Sequence, residues 1–390
     1  MQRNRFFLCQ YTYEKRCVAA LIFLAVWIFS VFPCLARQAS ETKRVLLIPS
    51  YNFDYLGIQW FNQGIMSGFA EQEGIKISYS IENLQLAAYP NDEKYFETMA
   101  AALRIKYARE KPDLIIAQYK PSTQFLYRYG QSIFADVPVV FAGLELEDYG
   151  GMNFPPHFTG ITTSFNAKRN IDLILQLHPQ TKTIYVIAGV GSSEKDMVAN
   201  VMKEGEKRRD RLEFVALNQL PMERVLEKIE GIHGNAAILY LSMQIDANGK
   251  ILVPAEVAKE IGRIARVPVY GMLDTYVGSG ITGGFLINHY QLGRRASNIG
   301  GDVLRGRILQ TNPPVNEAIG EYTFDWRQLQ RWAVSEDKLP SGSKVDFKQF
   351  RIWEQYKWEL VGGLCLIILQ GLLVFFFFFY RANRKRGFVV

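Results

Sequence analysis

The order of buried strands and amphipathic helices between Arg44 and Leu304 limits this chain more than any other feature. Arg44 to Pro49 reads RVLLIP, a short continuous apolar run of the kind buried on both faces of a parallel sheet. Ile58, Phe61, Ile65 and Phe69 then recur at helical spacing, with Gly74 near the end. Ile75 to Ile81 alternates as a strand, Tyr95 to Glu110 has a helical apolar face, and Asp113 to Ala117 and Val137 to Ala142 are further buried strands. Alternation of this kind predicts a parallel sheet with helices on both faces.

The pattern then restarts. Asn166 is placed to cap a helix running to Leu177, with Pro179 just beyond. Strands at Thr183–Ala188, Leu212–Ala216, Ala236–Leu241 and Pro268–Met272 alternate with helices at Glu194–Arg208, Pro221–Ile229 and Pro254–Ala265. "KPDLIIAQ…VPVVFAG" in the first half is echoed by "NAAILYLS…VPVYGML" in the second. Gly283–Ile287, a short strand, and Gln291–Leu304, a helix, have no partner left in the second half and are assigned back to the first. Gly300 and Gly301 weaken that helix by ~1 kcal/mol each. The expected fold is therefore α/β: a two-lobed clamshell, each lobe a parallel sheet between helices, with a cleft at the carboxyl ends of the strands.

Composition agrees with a globular core, at 48% hydrophobic and 21% charged residues. The net charge of +7 lies outside that core, since Arg3, Arg5, Lys15 and Arg16 outweigh Glu14 at one end and Arg381, Arg384, Lys385 and Arg386 close the other. A nucleic-acid binder would carry its excess on the folded domain, so no nucleic-acid partner is expected. Basic residues beside apolar runs are topology signals. Val18 to Phe32 is such a run, either a signal peptide ending near Cys34 and Ala36 or an uncleaved signal anchor. Leu360 to Tyr380 carries no charge and is long enough to cross the ~30 Å hydrocarbon core. The expected division is 1–36 signal peptide or anchor, 37–162 first lobe, 163–275 second lobe, 276–322 crossover and return to the first lobe, 323–359 juxtamembrane segment, 360–380 transmembrane helix and 381–390 cytoplasmic tail. The binding domain is expected outside the inner membrane. Cys9, Cys17, Cys34 and Cys365 all lie outside the lobes, which rules out a disulfide or thiolate metal site within them.

Catalytic signatures are missing. Gly278-Ser-Gly-Ile-Thr-Gly283 matches a dinucleotide fingerprint in letters, but a strand-like stretch follows where the fingerprint needs a helix. Those glycines are read as a hinge crossover, and no cofactor is expected. His157, His178, His233 and His289 stand at no metal-ligand spacing. Candidate ligand contacts come instead from loops after buried strands: Tyr51, Asn52, Tyr119, Lys120 and Glu145 in the first half, and Ser192, Ser193, Asp246, Asp274 and Tyr276 in the second. The tyrosines suit stacking on a planar ligand. Lys120 suits a carboxylate, Asp274 or Glu145 an amine, and the helix after Ser192 and Ser193 an anion. Asp246, in Asp-Ala-Asn-Gly, also fits a plain turn.

The segments PSYNFDY, VPVVFAGLE, IDANGKIL, VPVYGMLDTYVGSGITGG and FDWRQLQRWAVSEDKLPSGS…WEQYKW, with the apolar helix after them, resemble one group. It comprises the substrate-binding-protein-like sensor domains of bacterial signalling proteins, many of them sensor histidine kinases, which are related to type I periplasmic solute-binding proteins of ABC transporters. The resemblance implies a small-molecule ligand and closure relayed to the membrane helix, most simply between the helices of a homodimer. Such sensors continue into a transmitter, whereas this sequence stops about ten residues after the helix, so it is expected either to pass its signal to a separate partner or to be a fragment of a longer chain. The alternative is a tethered component feeding a permease.

Overall fold

The computed structural model describes residues 42–90, 92–163, 165–307, 315–316, 320–348 and 356–386. The expected signal segment, Trp353 and the last residues of the tail lie outside them.

The first lobe is built from β1 (Thr42–Pro49), α1 (Leu56–Ala70), β2 (Lys76–Ile81), α2 (Glu93–Lys106), β3 (Leu114–Gln118), α3 (Tyr119–Phe134), β4 (Val139–Glu145), α4 (Leu146–Gly150) and β5 (Phe158–Thr163). The second follows as α5 (Ala167–Leu177), β6 (Thr183–Ala188), α6 (Ser192–Glu206), β7 (Glu213–Leu217), α7 (Met222–Glu230), β8 (Ala236–Ser242), α8 (Pro254–Ile264), β9 (Val269–Gly271) and β10 (Gly283–Ile287). Then come α9 (His289–Leu304), β11 (Val315–Asn316), β12 (Gly320–Asp325), α10 (Trp326–Arg331), β13 (Lys344–Asp346) and α11 (Lys357–Arg386). The sheet orders are β11-β5-β4-β3-β1-β2 and β13-β12-β10-β9-β8-β6-β7. All the strand pairs are parallel except β10 with β12. Central strands such as β3 and β8 are buried at every residue, because helices cover both faces. The chain crosses between lobes after β5, after β10, and between β11 and β12.

Several expectations are corrected. Gly283–Ile287 does not return to the first lobe; it extends the second sheet, continuing the register of the short β9 and pairing with β12. The geometry depends on glycine: a side chain at Gly284 would strike the Gly271 carbonyl, and one at Gly283 would strike Thr323 and Phe324. Where β9 stops, the buried Asn170 amide takes over its role, accepting from Phe285 N at 2.8 Å and donating to Phe285 O at 3.1 Å. The residues from 320 to 346 are likewise part of the second lobe rather than a juxtamembrane connector, with Phe324 and Leu329 buried in its core. The glycines at 278 and 280 have positive φ but do not cross between lobes; their loop packs on Gly262 of α8 and on Phe347. Because β10 follows that loop, no helix is in place to receive a pyrophosphate. Asn166 is left-handed and its side chain makes no cap hydrogen bond to α5.

Helix α9 does cross to the first lobe and lies against α1 at backbone distance. A methyl added to Gly64 would fall within 3.0 Å of the Tyr290 carbonyl oxygen, and one on Gly293 within 3.0 Å of the Phe61 carbonyl. Gly300 and Gly301 face Leu114, Phe69 and Gln72 just as tightly. The helix-weakening glycines seen in the sequence are thus the price of close packing.

Candidate functional site

The carboxyl ends of β1, β3 and β4 face the start of α6 and the loops after β8 and β9, and a cavity of about 310 Å³ lies between them. Its wall includes Tyr51, Tyr119, Lys120, Glu145, Ser193 and Tyr276. The parallel strands all end on this side, so their following loops converge here although far apart in sequence.

Two contacts span the cleft. The Tyr51 hydroxyl donates to Ser193 Oγ at 3.2 Å, and burial pushes its phenol up to about 12. Lys120 Nζ lies 2.8 Å from Asp148 Oδ1 on its own lobe and 2.8 Å from Asp196 Oδ2 on α6 of the other. Lys120 is therefore a tie between the lobes, and its charge is already neutralised before any ligand carboxylate arrives. Tyr119, the first residue of α3, is held at φ +69, a costly conformation for a residue with a β-carbon. Its ring lies over Gly143, where a side chain would collide with it, and 5.7 Å from the Tyr51 ring. Its hydroxyl is buried and unpartnered within the cleft. Burial first, and then the Asp274 carboxylate, hold that phenol well above its ordinary range, so it stays neutral.

Three predicted contacts serve the scaffold. Asp274 accepts from His289 N at 3.0 Å and pairs with His289 Nδ1, so it braces the histidine, and His289 rather than Asp274 lines the cavity. Asp246 is buried and accepts from the backbone N–H groups of Met222, Asn248 and Lys250, which makes it a loop organiser. Asn52 accepts from Phe53 N and Asn83 Nδ2 and is outside the cavity wall. Ser192 lies in a neighbouring groove with Arg128 and Gln244. Tyr55, Phe165, Asp148, Asp196 and His289 were not anticipated as wall residues. His289 stands two residues after the end of β10, as the first residue of α9, and is legible by the strand-end rule; the aspartates lie inside helices, where charge reads as a solvated face. Among the described residues no group of His, Cys, Asp or Glu is arranged to hold a metal.

A family model of ABC transporter substrate-binding proteins matches residues 57–334, more than half of the chain. The chain belongs to that family. Its members bind solutes outside the cytoplasm and are not enzymes. Among solved structures, an ABC domain in complex with L-Trp from Streptococcus pneumonia is 18% identical, with a TM-score of 0.57 over 78% of this chain and 100% of that one. A ligand-free, open substrate-binding protein with adhesive properties from Clostridium difficile is 16% identical, with a TM-score of 0.57 over 79% and 100%. A conserved domain protein from Vibrio cholerae gives 16% and 0.56 over 78% and 100%. At these identities the likeness establishes the fold: a two-lobed periplasmic-binding-protein architecture. A comparison with curated proteins finds no match.

Proposed function

We propose that this chain is a membrane-tethered capture protein, which closes its lobes on a small molecule outside the cytoplasmic membrane and presents it to an ABC permease. The observation that carries this reading is the cleft, with Tyr51–Ser193 and Lys120–Asp196 joining its lobes around a cavity, in a chain of the substrate-binding family. The tether is α11, whose segment Lys357–Arg381 has a mean hydropathy of 2.6 and is long and apolar enough to span a bilayer. Tyr356 and Trp358 at its head suit an interfacial position, and the basic cluster from Arg381 onward supports a cytoplasmic position for its far end.

The lips of the cleft carry exposed apolar side chains: Phe53 at 47% beside Leu56 on the first lobe, and Ile251 at 69% beside Val253 on the second. Leu56 and Val253 also reach the cavity wall. A photo-reactive amino acid at Phe53 or Ile251, in the native membrane, is expected to give an adduct whose partner peptides are those of an ABC permease subunit. Adducts only to a signalling protein contradict delivery.

One observation favours a sensing reading. Strand β13 ends at Asp346 in the second lobe and α11 starts at Lys357, so that lobe is joined to the membrane helix by a short link. If closure is relayed through a homodimer to a separate signalling partner, ligand must favour one helix arrangement over another. Cysteine cross-linking along Val361 to Phe375, with Cys365 replaced, reads this directly. A simple tether predicts the same pattern with and without saturating ligand; a ligand-dependent change moves the reading to sensing.

A further inference from the structure

We infer that the cleft takes an organic cation, a small molecule with an ammonium group on an aromatic or apolar body and no carboxylate. The inference rests on the cleft being the capture site and narrows what it captures. Carboxylates outnumber basic groups on the described wall: Asp54, Glu145, Asp148, Asp196 and Glu256 against Lys120 and His289. Asp148 and Asp196 share the single charge of Lys120, and the rest of the excess is carried by Glu145 and by Asp54 and Glu256 at the exposed rim. Both basic groups are committed within the protein, Lys120 to Asp148 and Asp196 and His289 to Asp274. A low-dielectric cleft lined by one sign of charge raises the local concentration of the opposite sign.

The other place for a ligand carboxylate is the start of α6, where backbone N–H groups point outward. That turn already holds an anion. Glu194 folds back so closely on Gly191 that a side chain there would strike its carboxylate, and it accepts from Gln244 N at 2.9 Å. It is almost wholly buried, and burial raises its carboxyl against the pull of that backbone donor. A second carboxylate would meet like charge in the same place.

An ammonium group, in contrast, meets favourable groups on every side. Tyr51, Tyr55, Tyr119 and Phe165 all line the cavity, and a cation over a tyrosine face is attracted to it within about 6 Å. The neutral, unpartnered Tyr119 hydroxyl has lone pairs for an ammonium N–H. The cavity, at about 310 Å³, is at the small end of the ~300–1,000 Å³ range of small-molecule sites.

The test is calorimetry on the full chain in nanodiscs of a neutral lipid, with empty discs as blank, using phenethylamine, L-phenylalanine and hydrocinnamate as a matched series. Phenethylamine is expected to bind at least tenfold more tightly than L-phenylalanine, with no heat from hydrocinnamate. A Glu145→Gln, Asp54→Asn double variant, checked for an unchanged circular dichroism spectrum, should lose about tenfold in amine affinity. Tighter binding of the zwitterion or the acid overturns the inference and leaves the capture reading standing. Binding of none of the three, or an amine affinity indifferent to the double variant, overturns it as well.

Discussion

A Gly64→Ala chain should melt about 5 °C below the parent, a loss of roughly 3 kcal/mol at the upper end of overpacking costs. On a free helix the same change would stabilise by about 1 kcal/mol, because alanine is the better helix former. The sign therefore reports whether α1 and α9 meet backbone to backbone. The new methyl would press on the Tyr290 carbonyl and could be relieved only by moving one helix off the other. Gly293→Ala should behave alike, through the Phe61 carbonyl. Differential scanning fluorimetry of both variants measures this, and an unchanged or raised Tm in both would mean that α9 is not seated on the first lobe as described.

Lys120→Met should open the cleft. The side chain keeps its length, but Asp148 and Asp196 then face each other with no cation between them. All three groups are partly exposed, so the closed form should lose about 1–3 kcal/mol, less than a fully buried pair would forfeit. That corresponds to a fall of roughly five- to 150-fold in the closed-to-open ratio. A spin-label pair, one on α3 and one on α6, should show a longer distance distribution in the variant. Removing the repulsion with Lys120→Met plus Asp196→Asn, which returns the cluster to the parent's net charge, should bring part of the short-distance population back. An unchanged distribution in Lys120→Met would remove Lys120 from the closing mechanism.

The alternation of β and α was legible because each buried strand is short, apolar and followed by a helix with a clean apolar face. The assignment of late elements was not. Gly283–Ile287 carries no mark that tells one sheet from the other, since its neighbours are the distant β9 and β12 and its place depends on glycines that let those backbones approach. Phe324 likewise belongs to the second core because β12 pairs with β10, a fact invisible in a segment that reads as an aromatic approach to the membrane. In the cleft, the strand-end rule finds Tyr51, Tyr119, Lys120, Glu145, Ser193 and Tyr276. It cannot tell a ligand contact from a brace. Asp274 and Asp246 stand at equivalent sequence positions, yet one orients a histidine and the other holds a turn by backbone hydrogen bonds. Lys120 is a latch only because Asp196, on a different lobe, lies opposite it.

In the proposed function, ligand is held between the lobes by this set of side chains. The most direct test is native mass spectrometry of the full chain released from nanodiscs, as purified, beside the Tyr51→Ala and Tyr119→Ala variants. Tyr119 packs against the first lobe's apolar core, so a circular dichroism spectrum is recorded for each variant, and loss of a buried partner should weaken binding by about 1–3 kcal/mol each. The parent should retain one small molecule per chain, and the variants should have lost most of it with an unchanged protein fold. Equal retention in the parent and both variants would contradict the proposed function and put the ligand elsewhere on the protein.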